Sequence, residues 1–147
     1  MLRVKRNKLR EKSNRLIIMD TGDKKTEVRD FTDLAVWKQA NQIRILVYDL
    51  IKKLPKSEEY NLTSQIRRSS CSIASNIAEG YGRFSYQENT QYCRQARGSL
   101  DETRDHLIFI KEIFKDLSLE CDKLLEICLD CRKTLNGYIK YLQNQKK

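Results

Sequence analysis

The sequence predicts an all-α protein, an up-down-up-down antiparallel four-helix bundle that follows a disordered basic N-terminal tail. Three observations support this fold class. The chain has only five glycines and one proline among 147 residues and no run of β-branched residues, which disfavours a sheet. Apolar residues recur every three or four positions in four separate segments. The connections between these segments are short, as in antiparallel bundles, and the length suits one domain with a single core.

The first 30 residues form a basic segment with few large apolar side chains. Residues 1–29 carry ten basic and four acidic residues, a net charge of +6 out of +9 for the chain. Such a segment buries too little apolar surface to offset the entropy cost of ordering, so we predict a flexible tail over residues 1–30 and a folded domain over residues 31–147. The tail is a solvated segment, or sequence that precedes a translation start at Met19, or a basic arm that contacts nucleic acid non-specifically.

We predict the first helix near residues 33–54 and the second near residues 59–80. Thr32 is the expected N-cap of the first helix, and Pro55 ends it. Gly80 and Gly82 are expected to end the second helix, because glycine tolerates the left-handed backbone found at helix C-termini. The predicted buried seams of these two helices are Val36, Ala40, Ile43, Val47, Leu50 and Leu54, then Leu62, Ile66, Ser69, Ser70, Ile73 and Ile77.

The third helix is predicted near residues 85–115 and the fourth near residues 118–143. Ser85 and Glu88 form a capping box, in which two side chains three positions apart satisfy backbone groups at the helix start. Both helices show strict alternation of three and four positions between apolar residues. Their predicted seams are Cys93, Ala96, Leu100, Thr103, Leu107, Ile110 and Phe114, then Cys121, Leu124, Cys128, Cys131, Leu135, Tyr138 and Leu142.

The residues that commonly carry chemistry are sparse. Cys128 and Cys131 have the spacing of a zinc or redox pair, but both lie on the predicted seam of a continuous helix, where cysteine is more simply a small buried hydrophobe. His106 is the only histidine, and the chain has no phosphate-binding glycine loop. We therefore predict no catalytic residues, no metal site and no cofactor. Five cysteines without a secretion signal, and no apolar segment near 20 residues, predict a cytoplasmic protein without membrane contact.

A row of polar side chains on the second helix recurs at three or four residues: Gln65, Arg68, Ser72, Asn76, Glu79 and Arg83. The row is either a solvent face or a contact with another subunit. The small residues between Ser69 and Ser75 favour close approach of another helix, within or between subunits. The candidate residues for a homo-oligomer interface are Gln65, Ser72, Asn76, Glu79, Tyr81 and Phe84.

Aromatic and basic residues alternate over residues 81–97. Aromatic rings stack on unpaired bases and arginines bind phosphates, so this composition suits single-stranded nucleic acid, and it equally suits a protein–protein interface. The candidate nucleic-acid-binding residues are Arg67, Arg68, Arg83, Arg94, Arg97, Tyr86 and Tyr92.

Four motifs in order resemble the bacterial four-helix-bundle proteins encoded in intervening sequences of 23S ribosomal RNA genes, also filed as S23 ribosomal proteins. The motifs are Phe31–Leu34 with Val36, Trp37 and Ala40; residues 62–68; residues 72–80 with Arg83; and Ala96 with residues 98–100 and Glu102. The resemblance implies a ring-shaped homopentamer without assigned catalytic activity. The chain also resembles accessory proteins of diversity-generating retroelements, which implies nucleic acid and a nucleic-acid enzyme as partners.

Two functions therefore stand as hypotheses. The first is a non-enzymatic homo-oligomer that associates with RNA, other single-stranded nucleic acid or a nucleic-acid enzyme. The alternative is a structural homo-oligomeric adaptor that binds only protein partners. An enzyme formed at subunit interfaces is disfavoured, because no candidate general base stands out in the sequence.

Overall fold

The computed structural model describes residues 27–145. Residues 1–26 of the predicted tail lie outside this range. Four long helices are present, α1 (Ala35–Ile51), α2 (Ser64–Gly82), α3 (Tyr86–Ile113) and α4 (Ser118–Asn144). The residues described contain no β-strand. Consecutive helices pack on each other and α4 packs on α1, which closes a four-helix bundle. This arrangement confirms the predicted fold class.

Side-chain contacts between neighbouring helices show their antiparallel order. On α2 and α3, Ser69 pairs with Thr103 while the later Ser72 pairs with the earlier Ser99. On α3 and α4, Arg97 contacts Asn136 and Asp101 contacts Arg132. Residue numbers rise along one helix as they fall along its neighbour, as an up-down-up-down bundle requires.

The start of α1 differs from the prediction. A short 3-10 turn, Phe31–Asp33, precedes the helix, and Leu34 occupies the N-cap position, so the prediction that Thr32 caps the helix is wrong. The carboxylate of Asp33 accepts hydrogen bonds from the backbone N–H groups of Arg29 and Asp30 at 2.9 and 3.0 Å. These backbone donors lower the pKa of Asp33 below its usual value. The turn also buries Val28, which is only 2% exposed, so ordered packing begins before the predicted boundary at residue 31.

The connection from α1 to α2 is a series of tight turns. Helix α1 ends at Ile51, three residues before the predicted end, although Leu54 is still buried against the core. A 3-10 turn, Lys56–Glu58, and a wider π-type turn, Glu59–Thr63, then lead directly into α2.

Helix α2 ends within the glycine-containing segment that was predicted to end it, but its last residue is Gly82 rather than Gly80. The residue after the helix, Arg83, is extended rather than left-handed. Gly80 is buried against α3, where an added Cβ would lie 2.7 Å from Asn89 Oδ1 and 2.8 Å from Tyr92 Cβ. Glycine is required at this position because α2 and α3 approach so closely that no side chain fits, and not because the backbone adopts an unusual conformation.

The turn between α2 and α3 ends in the predicted capping box. Ser85 Oγ accepts a hydrogen bond from the Glu88 backbone N–H at 3.1 Å, and the Glu88 carboxylate accepts one from the Ser85 backbone N–H at 3.3 Å. These two bonds satisfy backbone donors that the start of a helix leaves without partners. The sequence prediction for this cap is confirmed.

The predicted seams form the core. Every seam residue is buried except Phe114, which is partly buried against the same cluster. The α2–α3 boundary is unusual because hydroxyl groups replace large apolar side chains there. Thr103 Oγ1 donates to Ser69 Oγ, and Ser99 Oγ donates to Ser72 Oγ, each at 2.9 Å. The small side chains let these two helices approach closely, and the hydrogen bonds satisfy the hydroxyls that this approach buries.

Candidate functional site

Aromatic residues concentrate at one end of the bundle. The antiparallel order brings the start of α1, the α2–α3 turn and the end of α4 to the same end. Eight of the twelve aromatic residues of the chain lie in these segments: Phe31, Trp37, Tyr81, Phe84, Tyr86, Tyr92, Tyr138 and Tyr141. Several of them pack on the core and the others remain accessible, so this end offers rings to a partner as well as to the interior.

The α2–α3 corner, which we define as Arg83, Phe84, Tyr86 and Tyr92, is the most exposed part of this end. The Arg83 guanidinium lies over the Tyr92 ring, 4.8 Å from its centroid, and forms an ion pair with Glu79 at 2.7 Å. Phe84 is 71% exposed on the turn between the two helices. A fixed cation and an accessible ring are thus adjacent, which is the arrangement that binds phosphate and base in single-stranded nucleic acid.

A shallow depression of about 370 Å³ opens beside this corner on the outer side of α2. Its walls are small or polar: Ser75, Ala78, Glu79, Gly82 and Arg83. An added Cβ at Gly82 would meet nothing within 4 Å, so the backbone is accessible there. A second helix or an extended chain can approach α2 closely along this side.

The other predicted nucleic-acid residues do not join the corner. Arg67 lies over the Tyr48 ring of α1, whereas Arg97 bonds Asn136 of α4 at 3.0 Å, so the two point toward opposite sides of the bundle. Arg68 precedes Arg83 by fifteen residues, about 22 Å along the axis of α2. Arg94 is exposed on α3. Of the predicted set, only Arg83, Tyr86 and Tyr92 are brought together.

Contacts within the subunit involve most of the predicted oligomer residues. Asn76 Nδ2 donates to the carbonyl and hydroxyl oxygens of Ser72 at 2.8 and 2.9 Å, and Ser72 also accepts from Ser99. Gln65 donates to Asn61 at 3.0 Å. Tyr81 packs partly buried on the core. Most of these hydrogen bonds stay within α2 and the turn before it, and the Ser72–Ser99 bond joins α2 to α3. Phe84 is 71% exposed.

The structure reveals a surface that the sequence interpretation missed. We define the α1–α2 face as Trp37, Arg44, Ile45, Tyr48 and Arg67. Two cation–ring contacts repeat along it, Arg44 over Trp37 and Arg67 over Tyr48, both at 5.9 Å. Ile45 is 55% exposed between them. The only available sequence signal was the spacing of 37, 44 and 48 along one helix face, because Arg67 comes from another helix.

The burial of the thiols and the composition of the helices limit the reactions, metal sites and membrane contacts that the described residues can support. Burial raises the pKa of Cys93, Cys128 and Cys131 to about 12, which keeps the thiols protonated and unreactive near neutral pH. The predicted burial of Cys128 and Cys131 is confirmed. Within residues 27–145, no three His, Cys, Asp or Glu side chains are grouped as metal ligands. None of the helices over this range combines the length and apolarity that crossing a bilayer requires.

Comparisons with known proteins point to one family. Residues 32–137 match the model of a family described as 23S rRNA-intervening sequence protein. Among solved structures, a protein with unknown function from the S23 ribosomal protein family of Bacteroides thetaiotaomicron matches with a TM-score of 0.66 and 20% sequence identity. The match covers 72% of this chain and 99% of that one, and at this identity it shows a shared fold alone. No curated protein matches the chain.

Proposed function

Since the chain belongs to the 23S rRNA-intervening sequence protein family, we propose that it is a non-enzymatic homo-oligomeric module that binds single-stranded RNA. The α2–α3 corner is the binding site, and self-assembly repeats this corner on every copy. Repetition matters because the folded domain has little net charge: residues 30–147 carry only +3 of the +9 on the chain. Several weak sites held together raise the overall affinity by avidity.

The adjacency of Arg83 and Phe84 is the observation that supports RNA binding best. Arg83 is held in place by Glu79 and Tyr92, so little side-chain freedom is lost when it meets a phosphate. Phe84 next to it presents 71% of its surface, enough for a base to stack on. Stacking on an exposed ring accepts any base but requires an unpaired one, which favours single strands over duplexes.

Fluorescence anisotropy with a labelled single-stranded RNA tests this proposal at 50 and 200 mM salt. Phe84→Ala should weaken binding roughly 5- to 100-fold, because stacking contributes about 1–3 kcal/mol per base. Arg83→Ala should weaken binding and reduce the slope of log affinity against log salt by about 1. Tyr60→Ala is the matched control, since Tyr60 is 93% exposed but belongs to the opposite end of the bundle.

Two results would contradict RNA binding at the corner. The first is that the wild-type protein ignores single-stranded RNA even at 50 mM salt. The second is that Tyr60→Ala weakens binding as much as Phe84→Ala. Self-assembly is checked separately by light scattering, in which a mass of 17.4 kDa at micromolar concentration would reject it.

The outer side of α2 favours the second candidate function, an adaptor that binds only protein. Cys71, Ser75, Ala78 and Gly82 recur along this side and carry small side chains or none. Such a surface accepts a helix at short distance, and nothing in it selects nucleic acid. Assembly without any affinity for RNA would favour the adaptor.

A further inference from the structure

The α1–α2 face carries positive charge that no acidic side chain of the described residues pairs with. Within residues 27–145, neither Arg44 nor Arg67 forms an ion pair. Each guanidinium lies over an aromatic ring, and Arg44 also donates a hydrogen bond to Asn41 Oδ1 at 2.8 Å. Ile45 and Tyr48, beside these arginines, are 55% and 44% exposed. The face thus combines accessible apolar surface with two uncompensated cations, the composition typical of interface hot spots.

The outward side of α3 has the complementary composition. We define the α3 face as Glu102, Asp105, Phe109, Glu112 and Ile113, whose spacing places them on one side of the helix. Phe109 and Ile113 are 46% and 50% exposed. Among the residues described, Asp105 and Glu112 form no ion pair.

The cations nearest to the α3 face do not neutralise it. Arg104 pairs with Asp101, and Lys111 pairs with Asp122 of α4, so both cations are engaged toward the α3–α4 boundary. The α3 face therefore remains acidic and partly apolar.

The two faces overlap in part along the bundle axis. The contact of Arg67 with Tyr48 places these two residues in one cross-section. The bond between Ser69 and Thr103, two residues farther along α2, places Arg67 level with Asp105 because α2 and α3 are antiparallel. Rotation about an axis parallel to the bundle would therefore bring Arg67 of one copy level with Asp105 of another. Glu112 lies seven residues, about 10 Å, farther along α3.

We infer that the α1–α2 face of one copy binds the α3 face of a second copy, head to tail. This inference rests on the self-assembly in the proposed function and names the surfaces that carry it. Charge complementarity selects a second copy over RNA as the occupant, because the acidic α3 face repels phosphate and matches the arginines. Two different faces meet, so the contact is heterologous and each copy can bind a neighbour on either side.

Charge reversal tests the pairing through sedimentation velocity of the full chain. Arg44→Glu with Arg67→Glu should weaken assembly by more than about tenfold, and so should Glu102→Lys with Asp105→Lys, because each places like charges across the contact. All four changes in one chain restore opposite charges and should restore assembly. Lys133→Glu with Lys140→Glu, two exposed positions on α4 outside both faces, is the matched control and should assemble normally.

A mixture of the two reversed variants gives an independent readout. Each variant retains one native face that fits the native face of the other, so the mixture should assemble where either variant alone does not. Helical circular dichroism of each variant confirms that it is folded. Rising salt should weaken the wild-type assembly, since the charges at the contact are screened.

The results separate this inference from the proposed function. A monomeric wild-type protein would reject self-assembly and the pairing together. Wild-type assembly that survives both reversals, or a four-change chain and a mixture that both stay monomeric, would reject only the pairing. Loss of RNA binding by Arg44→Glu with Arg67→Glu, with assembly unchanged, would assign the α1–α2 face to RNA and overturn the inference.

Discussion

Replacement of Gly80 by alanine should destabilise the protein, whereas the same change at Gly137 should stabilise it. Both glycines lie inside helices, so alanine gains about 1 kcal/mol of helix propensity at either position. At Gly137 an added Cβ meets nothing within 4 Å, so this gain is not opposed. At Gly80 the new methyl group would overlap Asn89 Oδ1 at 2.7 Å and Tyr92 Cβ at 2.8 Å.

The magnitude at Gly80 follows from three contributions. Overpacking of this kind costs about 1–3 kcal/mol, because the Tyr92 Cβ moves only with the backbone of α3. Displacement of Asn89 also weakens its hydrogen bond to the buried hydroxyl of Tyr138, a loss of about 1 kcal/mol. After the helix-propensity gain is subtracted, we expect Gly80→Ala to lower the free energy of unfolding by about 1–3 kcal/mol.

Urea denaturation monitored by circular dichroism measures both changes. All proteins are compared at one concentration, because self-assembly makes apparent stability depend on concentration. The midpoint should fall for Gly80→Ala and rise slightly for Gly137→Ala. A Gly80→Ala protein as stable as the wild type would refute the reasoning, since it would mean that α2 and α3 are farther apart than the structure shows.

Four further predictions concern the core and a helix cap. Tyr138→Phe should cost about 1–3 kcal/mol in the same denaturation assay, because the buried Asn89 amide loses its acceptor; a neutral effect would contradict that bond. Ser85→Ala should cost about 1 kcal/mol through loss of the cap on α3, and unchanged stability would show that the cap contributes nothing. In the native protein at pH 8 the four buried thiols should resist alkylation while partly exposed Cys71 reacts, and mass spectrometry can count the modified thiols. Because burial raises their pKa values from 9.0 to about 11 and about 12, their contribution to stability is complete below pH 9 and is lost as pH rises toward 12, which denaturation across this range will show.

The helices were predictable because the buried residues of each helix are apolar and recur at regular spacing in the sequence. Spacing of three and four positions follows from helix geometry, and the seams built on it are the core of the structure. The cap at Ser85 was equally readable, since both partners lie within one turn. The start of α1 was not, because Asp30 and Asp33 form a competing turn that moves the first helical residue past Thr32.

The remaining misinterpretations concern relations between helices. A glycine that ends a helix and a glycine that admits a neighbouring helix look the same in a sequence, so Gly80 was misread. Arg67 on α2 and Arg83 directly after it were grouped, yet the first faces α1 and the second faces Tyr92 of α3. The α1–α2 face was missed for the same reason, since its members come from two helices and no local pattern connects them.

The hydroxyl-lined boundary between α2 and α3 has a consequence for how the bundle opens. This pair shares the most extensive contact of the fold, and the α1–α4 pair shares the least extensive contact among neighbouring helices. Transient sub-global unfolding should therefore begin where α1 separates from α4, while the α2–α3 hairpin stays intact as one cooperative unit. In amide hydrogen exchange, α1 should lose protection earlier than α2 and α3. The α2–α3 hairpin, which carries Arg83 and Phe84, would then remain ordered while the other helices open transiently.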